Sequence, residues 1–115
     1  MKKMIDYTGF GEQVLTFKCI GNTAVGDLLK MSENDTVAPA ANGEEFIGIA
    51  VCVRNGIASV ATNGFARVSY SGSAMPLGAA YIAADGQGGV CVKAGGKKVS
   101  VLNIDTENNT VGFIF

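Results

Sequence analysis

Histidine and tryptophan are absent from this chain of 115 residues, and proline occurs twice. Without histidine, the commonest general base and metal ligand is missing, as is any Ser-His or Cys-His nucleophile pair. Charge is scarce too. Only 17% of residues are charged, nine Lys and Arg against ten Asp and Glu, for a net charge of −1. Lys2-Lys3 and Lys97-Lys98 are isolated pairs, far short of the basic stripe that tracks phosphates, so a nucleic-acid partner is not expected. The three cysteines, Cys19, Cys52 and Cys91, form no Cys-x-x-Cys, which argues against a zinc site. The longest apolar run, residues 46–53, falls well below the roughly 18 residues of a membrane helix. Lys2-Lys3 is followed by Asp6 and a polar stretch, not by the apolar core of a leader, so no signal peptide is expected. No catalytic residue, cofactor or metal is expected from this inventory.

Glycine and apolar residues fill the space these absences leave. The chain holds 16 Gly and is 48% hydrophobic, with glycine at about twice its usual share of roughly 7%. So few charges leave apolar surface that would meet a partner. An ordinary β core under a Gly- and Ala-rich surface is the plainer alternative. Four turn dipeptides punctuate the chain: Asn42-Gly43, Asn55-Gly56, Asn63-Gly64 and Asp85-Gly86. Such pairs accept positive φ at both central positions of a type I′ turn, the geometry of a tight hairpin. Strand-like runs surround them. The expected fold is mainly β: a small, Gly-rich β-barrel or sandwich built from hairpins. Residues 13–115 form one domain in this reading, preceded by an N-terminal arm over residues 1–12.

Along the chain, residues 13–20 alternate as a half-buried strand with Leu15, Phe17 and Cys19 on one face. A turn at Gly26-Asp27 precedes a short strand at residues 28–31, although Val25, Leu28 and Leu29 also have helical spacing. Residues 46–53 are apolar on both faces, which predicts a strand covered on both sides. Asn55-Gly56 and Asn63-Gly64 predict a three-stranded meander through residues 46–70. The Ala-rich residues 79–84 suit a strand or a helix. The apolar phase slips between Val101 and Leu102, which predicts a bulge. A terminal Phe113-Ile114-Phe115 would be costly in water and should be docked in a sheet. All three cysteines sit inside β-type runs and read as core residues made in a reducing cytoplasm.

Two stretches look alike at an offset of 52 residues: Val25-Gly26-Asp27-Leu28-Leu29-Lys30-Met31 and Leu77-Gly78-Ala79-Ala80-Tyr81-Ile82-Ala83. An apolar-Gly-apolar strand follows each, Ile47-Gly48-Ile49 and Val111-Gly112-Phe113. One supersecondary unit used twice explains this. Chance alignment of Gly-rich hairpins is the other explanation. The carboxylates Asp27, Asp35, Glu44, Glu45, Asp85 and Asp105 fall mainly in turns and read as solvated. Gly86-Gln87-Gly88-Gly89 lacks the spacing and the following helix of a phosphate loop. For contacts with a partner, the candidates are Tyr7 and Phe10 in the arm and the chain's only arginines, Arg54 and Arg67.

The order of these pieces resembles the small capsid cement, or head decoration, proteins of tailed bacteriophages and prophages. The resemblance runs through Val25-Gly26-Asp27, Phe46-Ile47-Gly48-Ile49-Ala50, the Asn55-Gly56 hairpin and Asn63-Gly64-Phe65-Ala66-Arg67-Val68. It closes with Leu77-Gly78-Ala79-Ala80-Tyr81-Ile82 and Val111-Gly112-Phe113-Ile114-Phe115. Ala79 and the three cysteines depart from the family pattern. The resemblance implies no enzyme activity and no catalytic residue. It implies a homo-oligomer, usually a trimer, made in the host cytoplasm and bound to the capsid exterior, where it strengthens contacts between major capsid protein subunits. A tail-tube or fibre module, or a small ligand-binding β-barrel, are the alternative expectations.

Overall fold

The structure is a computed structural model and describes residues 13–72 and 74–115. The arm over residues 1–12, with Tyr7 and Phe10, lies outside the described residues. Ten strands form in chain order. The first five are β1 (Gln13–Cys19), β2 (Leu28–Glu33), β3 (Thr36–Pro39), β4 (Gly48–Arg54) and β5 (Ile57–Asn63). The second five are β6 (Phe65–Ser71), β7 (Gly78–Ala84), β8 (Val90–Val92), β9 (Lys97–Asp105) and β10 (Thr110–Ile114). Each set of five closes on itself as a barrel, in the orders β1-β3-β2-β4-β5 and β6-β8-β7-β9-β10. Closure leaves neither barrel an open sheet edge.

The two barrels share one connectivity. β1 pairs with β3 in parallel, and β6 pairs with β8 in parallel. The other ladders of each barrel are antiparallel. The expected doubling is therefore present in the structure, with one adjustment of register. Met31 opposes Val37 as Ala84 opposes Val90, and Leu29 opposes Pro39 as Ile82 opposes Val92. Leu29 and Ile82, 53 residues apart, are thus equivalent, one residue more than the sequence match. Both are fully buried in their barrels.

Alternation builds each interior. In the first barrel, Leu29, Val37, Ala50, Ala58 and Val60 are buried, with Phe17, Cys19, Ile47 and Val53 packed around them. In the second, Ile82, Ala84, Val90, Val99, Val101, Val111 and Phe113 are buried, backed by Ala66, Val68 and Tyr70. Each large buried side chain contributes roughly 1.5–3 kcal/mol. Leu28 and Phe46 of the first barrel belong to the second barrel's core, and the Phe46 and Phe113 ring centroids are 6.5 Å apart. The barrels therefore lie side by side, which gives the molecule its 44 × 30 × 21 Å extents.

Several expectations need correction. Asn63-Gly64 closes no hairpin. β5 pairs with β1 and β4, whereas β6 pairs with β8 and β10, so this dipeptide carries the chain from one barrel to the other. Gly64 has φ 140° and exchanges backbone hydrogen bonds with Phe115, at 3.2 and 3.0 Å. Asn42-Gly43 lies in the β3–β4 loop, and those strands are not neighbours. Residues 46–53 are not covered on both sides throughout. Phe46 and Ile47 precede β4, and a register shift between Ala50 and Cys52 turns Val51 and Cys52 outward. Cys52 is therefore exposed, and Cys19 and Cys91 are half-buried, so the cysteines are not three core residues.

Other expectations stand. Asn55-Gly56 forms the tight β4–β5 hairpin with φ 52° and 76°. Residues 28–33 and 78–84 are strands. The bulge falls at Leu102, where Gly112 opposes Asn103 and Phe113 opposes Val101. Phe113 is fully buried and Phe115 packs on the same core.

Candidate functional site

Most side-chain hydrogen bonds among the described residues organise turns; Thr62 Oγ1, which donates to the Gln13 carbonyl, bridges two strands instead. Asp85 accepts hydrogen bonds from the backbone N–H of Gln87 at 2.7 Å and Gly89 at 3.0 Å, and from Ser71 Oγ at 2.9 Å. Asp105 accepts from the Asn108 side chain at 2.8 Å and from the N–H groups of Glu107 and Asn108. The Asn108 side chain, then the backbone donors, lower its pKa below the usual carboxylate value. Glu44 pairs with Lys30 at 2.8 Å and accepts from the Ala41 N–H at 2.7 Å. The Lys30 hydrogen bond first, then the Ala41 N–H, lowers its pKa. These contacts pin residues 40–47, the segment that reaches the second barrel.

No chemistry-bearing cluster stands out. Among the described residues, no group of three or more His, Cys, Asp or Glu could hold a metal ion, and no helix is long and apolar enough to cross a membrane. Two recesses lie between the barrels. One of about 140 Å³ is bounded by Asp27, Leu28, Ala40, Ala84, Gly86 and Gly89. The other, about 280 Å³, is bounded by Ile49, Val51, Ala61, Phe65, Arg67 and Phe115. A third, about 290 Å³, lies at Lys98, Ser100 and Phe115. Each carries a single ionisable side chain, Asp27, Arg67 or Lys98. Small-molecule sites usually span roughly 300–1,000 Å³ with convergent polar groups.

The sequence candidates are scattered. Arg54 ends β4 beside the Asn55-Gly56 turn, and Arg67 lies on β6 of the other barrel. Both are exposed. The Arg67 guanidinium carbon sits 5.9 Å from the Phe65 ring centroid, and its charge adds slightly to the lowering of the Asp105 pKa. Tyr7 and Phe10 are outside the described residues.

The composition anticipated apolar surface, but not the residues that form it. Eleven large hydrophobic side chains are exposed among the described residues, including Val14, Leu15, Met31, Leu77 and Tyr81. Solitary exposed apolar residues are ordinary; here they number eleven among the described residues of a chain that is 17% charged. Val14 and Leu15 face opposite sides of β1 and both are exposed, so Leu15 leaves the half-buried face on which the sequence places it with Phe17 and Cys19. Comparison with known proteins returned no match, either to a family model or to a curated protein.

Proposed function

We propose that this chain is a structural phage protein: a homo-oligomeric, trimeric decoration subunit that binds and stabilises the exterior of a capsid. It is assembled in the host cytoplasm and ends on the virion, with the major capsid protein as its partner, and it performs no catalysis. One observation carries this reading, namely the apolar exterior of a low-charge double barrel. The resemblance of residues 23–115 to capsid cement proteins supports the same reading. A β scaffold whose polar groups are spent on its own turns has surface, not a pocket, to offer a partner. Repetition over many copies on a shell turns modest contacts into avidity.

The test is direct. Purified chain is mixed with expanded phage heads lacking decoration protein, and bound copies are counted after sedimentation. Saturable binding that raises the heads' resistance to heat supports the reading. Heads that sediment bare at saturating protein oppose it. Removal of residues 1–12 should leave the fold intact and weaken attachment; unchanged attachment would refute a role for the arm.

A further inference from the structure

The two barrels touch through unlike surfaces, and each barrel carries both. The first barrel uses its β2–β4 side, with Asp27, Leu28, Pro39 and Ala40 across one recess from Ala84, Gly86 and Gly89 of the second. Beside it, Ile49, Val51 and Ala61 face Phe65, Ala66 and Val68. Backbone hydrogen bonds seal the seam. Gly43 N–H donates to the Ala84 carbonyl at 2.8 Å, and Ala84 N–H donates to the Glu44 carbonyl at 3.0 Å. The second barrel thus contributes its β6 side and the end of β7.

Each half of this seam has a counterpart left uncovered at the far side of the other barrel. Through the β2–β3 and β7–β8 ladders, where Leu29 opposes Pro39 as Ile82 opposes Val92, Leu28 corresponds to Tyr81. Leu28 is 4% exposed under the second barrel, and Tyr81 is 49% exposed. In the same way Ala84 corresponds to Met31, and the two are 2% and 43% exposed. Ala66 opposes Phe113 as Leu15 opposes Val60; Ala66 is packed in the shared core, whereas Leu15 is 47% exposed. At these three positions the residue covered inside the chain has an apolar, bare repeat.

Charge matches as well. Tyr81 has exposed Lys98 opposite it, and exposed Lys93 donates its N–H to the Tyr81 carbonyl. Met31 precedes exposed Glu33 and Asp35. The open side of the second barrel is basic; the β2–β3 turn of the first carries the two carboxylates beside one exposed lysine, Lys18, whose backbone N–H donates to the Asp35 carbonyl.

We propose that the Tyr81–Lys93–Lys98 surface of the second barrel docks on the Leu15–Met31–Glu33 surface of the first barrel of another copy, repeating between chains the contact that joins the barrels within one. The occupant is a second copy of this chain. The association is heterologous, so each chain offers one surface to each neighbour, and the array closes into a ring where the rotation permits. The second barrel's β8–β9 connection is shorter than residues 40–47, so the repeated contact rests on side chains and not on the Gly43–Ala84 backbone bonds. This inference rests on the self-association in the functional reading and names its surfaces.

Two variants test it by complementation. Leu15→Glu spoils one surface and Tyr81→Glu the other, at positions already half exposed. By light scattering, each variant should be monomeric at a concentration where the wild type is assembled. An equimolar mixture should form a 1:1 dimer and nothing larger, because one intact surface remains on each. A mixture that stays monomeric, or a variant that assembles as the wild type does, overturns the proposal. Should either variant fail to show wild-type circular dichroism, charge reversal replaces it. Glu33→Lys and Lys93→Glu should each weaken association about tenfold at low salt, and the double variant should recover it; no recovery overturns the proposal. Wild-type chain that is monomeric undermines the functional reading together with this one, whereas an assembled wild type with indifferent variants removes only the assignment of surfaces. A monomer that assembles once residues 1–12 are deleted would give the patch to that segment instead.

Discussion

At the residue scale, the interior positions and the turn positions carry different risks. Leu29 and Ile82 occupy the same buried place in the two barrels. Truncating either to alanine should cost about 2–5 kcal/mol, read as a lower denaturant midpoint with little change in slope. An equal stability for wild type and variants would contradict the packing described. Gly48 makes a sharper case. A Cβ there would overlap the Ala61 carbonyl oxygen and crowd the Val60 side chain, so Gly48→Ala should destabilise by about 1–3 kcal/mol although alanine is the smaller conformational burden in the unfolded chain. Asn55 has φ 52°. Asn55→Ala should cost about 1 kcal/mol, because a Cβ in the left-handed region meets the following carbonyl and alanine lacks the polar side chain that relieves this. These three kinds of position differ in how plainly the sequence announces them. Asn55-Gly56 is visible as a local backbone preference. Leu29 and Ile82 are visible as apolar members of short strands. The role of Gly48 is not, because it depends on how close β5 comes.

At the scale of elements, local signals located strands and turns, while pairing came from distant residues. The Leu102 bulge showed as a slip in apolar phase, and the structure places it there. Asn63-Gly64 misleads for a physical reason: the dipeptide reports permitted φ and ψ and says nothing about which strand the next one joins. The parallel β1–β3 and β6–β8 pairs have no local signature either. Residues 40–47 are the element that ties the barrels, held by Glu44 to Lys30 and the Ala41 N–H. Its hydrogen bonds lower the Glu44 pKa from the ordinary value of 4.5. The folded chain therefore binds fewer protons than the unfolded chain in that range, and stability rises with pH there. The contribution is complete above the unfolded value and is lost as pH falls through the lowered one. Glu44→Gln should flatten the acid limb of the stability profile below about pH 5; a profile parallel to wild type would show that the pair does not hold the segment.

For the whole molecule, the outline was readable and the surface was not. Gly-rich hairpins and alternating strands were enough to expect a small β-barrel or sandwich, with a doubled unit as one of two explanations for the repeated motif; the structure has two barrels. Which apolar residues stay outside depended on bulges and on the packing of one barrel against the other. Leu28 and Tyr81 are equivalent only by strand register, and only Leu28 is covered. A chain with so little charge and an apolar exterior should associate more strongly as salt rises where apolar contact dominates, and less strongly where the Lys93–Glu33 complementarity does. Comparing association at low and moderate salt for wild type and for the Lys93→Glu variant separates the two contributions.

The central claim is that copies of this chain cover one another's apolar surface. The most direct measurement is the molar mass of the purified wild-type chain by light scattering across a concentration series. The expected result is a species at three times the 11.8 kDa chain mass that persists on dilution. A mass of 11.8 kDa at every concentration would contradict it.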